Sequence, residues 1–173
     1  MELEKRKRLV KLVAVLALFG HSAASLAASG SFEKSVAIDG AAIIDVSNQS
    51  GAVVVRGGDV DQVTIRARIL VDERYSKTDP LKAGKIISSI KRSPPVEIDG
   101  NRVVVETLTK HTHKRYASIS YEILVPRDAE VNVHSVSGNV RVSGITGEVN
   151  ATSDTGKVTV AKLDEAEGAL DTA

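Results

Sequence analysis

The sequence predicts an all-β fold: a β-solenoid-like stack of short strands with one short helix at about 80–91, and an antiparallel β-sandwich as the alternative. Three observations predict it. Beyond residue 40, apolar and polar residues mostly alternate with period two. A small polar residue, a glycine and alternating valines recur along the chain. The 173 residues contain no Cys, no Trp and only five aromatics, so neither a disulfide framework nor a large aromatic core holds the fold.

The first 27 residues read as an address. Lys5, Arg6, Lys7, Arg8 and Lys11 precede an apolar run, Leu12 to Phe19, and a small-residue stretch through Ala28. A basic segment, a short apolar core and a small-x-small site make a secretory signal. Cleavage is expected between Ala27 and Ala28, since Ser25 and Ala27 fit the small positions. Eight apolar residues are far fewer than the ~20 that span a bilayer, so no transmembrane helix is expected in the mature chain. No cysteine follows to carry a lipid. Removal of this segment leaves 18 Lys+Arg against 20 Asp+Glu, so the apparent basicity belongs to the export signal. The expected location is outside the cytoplasm of a bacterium, periplasmic, at the cell surface or secreted.

The candidate strands follow in order: Ala42–Ser47, Ala52–Arg56, Gln62–Val71, Arg102–Leu108, Ala117–Val125, Glu130–His134, Asn139–Val142, Glu148–Thr152 and Lys157–Ala161. Most are rich in Val, Ile and Thr, which suit a pleated, half-buried surface. Pro126 ends one of them, because it supplies no ladder donor. Between the third and fourth, Asp79-Pro80 pairs a capping residue with a proline suited to the first helical turn. Leu81, Ile86, Ile87 and Ile90 fit one helical face, and Ser93-Pro94-Pro95 ends it.

The repeat organises the second half. Ser50-Gly51-Ala52-Val53-Val54-Val55, Ser137-Gly138-Asn139-Val140-Arg141-Val142 and Thr155-Gly156-Lys157-Val158-Thr159-Val160 are three copies. Gly147 and Gly168 open two further alternating segments. Periods near 20 residues with glycine turns describe coils that stack about 4.8 Å apart. Gly51, Gly138, Gly147, Gly156 and Gly168 are therefore read as structural turn glycines. The expected organisation is a signal at 1–27, a β-rich part with one helix at 28–127, and repetitive coils at 128–173. The last of these coils is cut short, because Ala173 falls within what reads as another strand.

These residues resemble the DUF4097 family, a group labelled adhesin-like. The resemblance includes the exported N-terminus, Ser50-Gly51 with Val53 and Val55, and Ile123-Leu124-Val125-Pro126. Its strongest part is Val131 to Val142, followed by Gly147, Gly156 and Gly168. It covers about residues 36–173. The resemblance implies a β-solenoid fold and supplies no catalytic residues.

Chemical motifs are few. Asp154-Thr155-Gly156 matches the aspartic-protease triplet, yet it sits at the repeat's turn position, where Ser-Gly stands in other copies. Ser88-Ser89-Ile90-Lys91 satisfies S-x-x-K without the strand and helical domain that a serine acylase needs. Lys110, His111, His113, Lys114 and Arg115 form the densest charge in the mature chain, read as a solvated hairpin loop or as an anionic-surface contact. The alternating His111 and His113 could chelate a metal, but no third ligand is nearby. Neither metal nor cofactor is expected. The near-neutral charge and scarce aromatics argue against nucleic acid. The expected function is non-enzymatic, adhesin-like binding or scaffolding toward an unknown protein or envelope component. Envelope-stress sensing is the alternative, and a β-helix polysaccharide-active enzyme a less favoured one.

Overall fold

The computed structural model describes residues 27–161. Its eleven strands and three helices run β1 (Ser29–Ala37), β2 (Ile43–Ser50), β3 (Val53–Gly58), β4 (Gln62–Val71), α1 (Glu73–Thr78), α2 (Pro80–Arg92), β5 (Val96–Asp99), β6 (Arg102–Val105), α3 (His111–Tyr116), β7 (Ala117–Pro126), β8 (Glu130–Ser137), β9 (Val140–Ser143), β10 (Val149–Thr155) and β11 (Val158–Ala161). The chain is mostly β, in two mixed sheets. The first has the order β1-β4-β7-β3-β9-β11 and the second β10-β8-β2-β6-β5.

Register explains the repeat. In the second sheet β2, β8 and β10 run parallel, with Ile44 opposite Val131 and Val131 opposite Val149. In the first sheet β3, β9 and β11 do the same through Val53, Val140 and Val158. Each copy thus gives one strand to each sheet and bends at its glycine. The strands β6 and β7 extend both stacks by one parallel step on the other side of β2 and β3. Both sheets therefore draw strands from either side of residue 127. The antiparallel alternative holds only for β1–β4–β7 and β5–β6.

Alternation places Ile44, Val46, Val53, Val55, Val131, Val133, Val140 and Val142 in one core, all nearly or fully buried. Burying each such side chain contributes about 1.5–3 kcal/mol. The corners leave no room for a Cβ. One added at Gly51 would strike Ile119 O, one at Gly138 would strike Gly51 O, and one at Gly156 would strike Gly138 O. Gly51 and Gly138 also have φ of +107° and +146°. Gly147 is tight for another reason, its approach to the carbonyls of Asp128 and Ala129. Gly168 lies outside the described residues.

The helix α2 starts as expected: Asp79 caps it, accepting from Lys82 N at 3.0 Å, with Pro80 next. Its buried face differs from the expected one. Ala83, Ile86 and Ile90 pack on the core, whereas Leu81 is 81% exposed because it falls off that stripe. The expected hairpin between residues 102–108 and 117–125 does not form, since β6 and β7 belong to different sheets and α3 turns the corner between them. Among the described residues, no helix is long and apolar enough to cross a membrane.

Candidate functional site

The outward face of the second sheet presents polar residues in columns, a direct consequence of period-two alternation in a parallel register. Asp45, Asn132 and Asn150 stand opposite one another on β2, β8 and β10. Asn150 Nδ2 donates to Asn132 Oδ1 at 3.2 Å, and Asn132 Nδ2 donates to Asp45 Oδ1 at 3.2 Å. The same amides reach Glu148 Oε1 and Glu130 Oε1, each at 3.0 Å. On β6, Arg102 Nη2 closes the series 2.6 Å from Asp45 Oδ2. One side chain of each strand thus fixes the next.

The neighbouring column holds Ser47, His134 and Thr152, with His134 Nδ1 3.1 Å from Thr152 Oγ1. Between the two columns lies a shallow depression of about 270 Å³. Carboxylates, amides, a hydroxyl pair and an imidazole at strand spacing can hydrogen-bond a flat polar ligand along its length. Among the described residues, no group of three His, Cys, Asp or Glu is placed to hold a metal ion.

The turn motifs have a separate, internal role. Asn48, Ser135 and Ser153 point inward at equivalent positions just before each corner. Asn48 Nδ2 contacts the carbonyls of Ser50, Gly51 and Ile119 at 3.0–3.2 Å, and Ser153 Oγ donates to Gly138 O at 2.9 Å. Ser135 Oγ is buried without a partner. Asp154 is exposed on β10, while Thr155 Oγ1 donates to Val136 O at 3.0 Å, so the Asp-Thr-Gly triplet is built as a corner. Ser88 and Lys91 lie on α2.

The basic segment is redistributed by α3. His111 and His113 lie about 200° apart around a helix rather than on one strand face. His113 is buried, and desolvation, then Lys110, holds its pKa below the usual 6.5. His111, Lys114 and Arg115 are exposed, and Lys110 Nζ donates to Ser89 Oγ of α2 at 3.2 Å. The Arg115 guanidinium lies 5.4 Å from the Tyr116 ring centre, and Tyr116 stacks on Tyr75 of α1 at 3.9 Å. A contact with an anionic surface would therefore use Lys110, His111, Lys114 and Arg115 without His113.

The outward columns escaped the sequence reading. Their signal is the 18-residue offset that aligns Val131-Asn132-Val133 with Val149-Asn150-Ala151. Asp45 lies 87 residues from Asn132, too far for local periodicity to join them.

No protein-family model matches the chain, and no curated protein matches it. Among solved structures it is similar to a "putative cell adhesion protein" from Clostridium sporogenes, with 10% identity and a TM-score of 0.40. That likeness covers 78% of this chain and 59% of the other protein's length.

Proposed function

We propose that this chain is an exported, non-enzymatic, adhesin-like module of the DUF4097 kind, a short β-solenoid that binds or scaffolds an envelope component. The observation that carries the reading is the in-register parallel stack, which turns a repeated sequence into ordered outward columns. The chemistry of those columns supports binding: amides already fixed by neighbours lose little freedom when a ligand meets them. The basic and apolar segments before Ala28 support export. Export, read from the sequence, supports the envelope as the place of action, and the polar columns support polysaccharide as the class of ligand.

The test is sedimentation of the mature chain with purified envelope polysaccharide. Binding that falls at least about tenfold in the Asn132→Leu/Asn150→Leu double variant supports the reading. Cleavage of defined glycans, abolished by replacing one carboxylate such as Glu130 or Asp45, would replace it with an enzymatic one.

A further inference from the structure

Charge is segregated in this domain. Residues 72–92 and 110–116, which hold all three helices, contain nine Lys or Arg against three Asp or Glu. The rest of the described chain has eight against thirteen. The helices form one platform: α1 and α2 adjoin at Asp79, Tyr75 of α1 stacks on Tyr116 of α3, and Lys110 at the head of α3 bonds Ser89 of α2. Lys77 and Lys82 pair with Glu73 and Asp79 at 2.7 and 2.8 Å. Arg74, Lys85, Lys91, Arg92 and Lys114 are all exposed.

A second, independent observation concerns where the chain enters the domain. Ala28 is tied to this same corner: its N–H donates to Ser76 Oγ of α1 at 3.2 Å, and its carbonyl accepts from Val71 N at 2.9 Å. Two residues on, Gly30 lies so close to Ile87 of α2 that a Cβ there would strike its side chain. The described chain therefore begins beside the helical platform, at Ala28, not at the far end of the stack.

We infer that the helical platform is a docking surface for an anionic phospholipid bilayer. The cations of α1, α2 and α3 face the headgroups, and Leu81, exposed among Lys82 and Lys85, reaches the interface. The acidic columns of the second sheet, with Asp45, Glu130 and Glu148, lie on a different surface and stay clear of the bilayer. This inference stands apart from the ligand proposed for those columns.

The experiment is co-sedimentation of the chain freed of residues 1–27, which keeps every described strand and helix. It is mixed with vesicles of phosphatidylglycerol and phosphatidylcholine, or of phosphatidylcholine alone, at low and physiological salt. Binding is expected only to the anionic vesicles, weakening with salt. The Lys85→Glu/Lys91→Glu/Lys114→Glu variant is expected to lose roughly fivefold per charge removed, with an unchanged melting temperature. An Arg56→Glu/Arg141→Glu control, on the outer face of the first sheet, is expected to keep most of the binding. Equal loss in both variants would overturn the inference, as would no binding to anionic vesicles at low salt. Retention by a soluble sulfated polysaccharide without retention by vesicles would overturn it in favour of a polymer partner.

Discussion

At Asn48, Ser135 and Ser153 one inward column shows how a single side chain decides the character of a corner. Asn48 serves three carbonyls, so Asn48→Ala should cost about 2 kcal/mol in denaturant unfolding by leaving buried acceptors unmatched. Ser135 Oγ serves none, so Ser135→Ala should be neutral or stabilising by up to about 1 kcal/mol. A large loss at Ser135 would reveal an unseen partner. The glycine column gives the opposite extreme. Gly138 combines positive φ with the Gly51 carbonyl beside it, and Gly138→Ala should destabilise by about 2–3 kcal/mol. Such glycines are legible in a sequence, because the Ser/Thr-Gly step recurs. The carbonyl each one faces is not, since it comes from a strand or corner distant in the chain.

Among the elements, legibility followed how much local signal each carried. The limits of β4 match the expected Gln62–Val71, and α2 differs by one residue, because alternation in one and a cap with proline in the other are strong local signals. By contrast β1 has only Phe32 and Val36 as large apolar residues at its half-buried positions, so its alternation is faint. α3 is six residues long with no side-chain cap at Lys110, and its charged sequence resembles a loop. Its one buried polar residue has a pH signature. The folded state holds His113 below its unfolded pKa, so the unfolded chain binds the proton first as pH falls. Stability is therefore full above about pH 6.5 and declines below it, until the folded-state pKa is passed. Melting temperatures measured from about pH 7.5 to 5 should fall, and His113→Gln should flatten that part of the profile. A profile identical in the variant would mean that His113 is not the group responsible.

For the molecule as a whole, the decisive property is that sequence repetition becomes spatial repetition. Two strands per copy, one in each sheet, put like residues on like residues: valines inside, Asp45, Asn132 and Asn150 outside. The 18-residue spacing made this legible for the later copies. The first copy was harder, because 71 residues of strands and helices separate β3 from β8 and return to the stack on its other side. The most direct measurement of the central claim uses the absence of native cysteine. Paired cysteine substitutions, Arg141→Cys with Thr159→Cys and Ser143→Cys with Ala161→Cys, allow spin labels at two matched heights on β9 and β11. The parallel register predicts short and nearly equal label separations for both pairs. Long or unequal separations, as antiparallel pairing of the two strands would give, would contradict it.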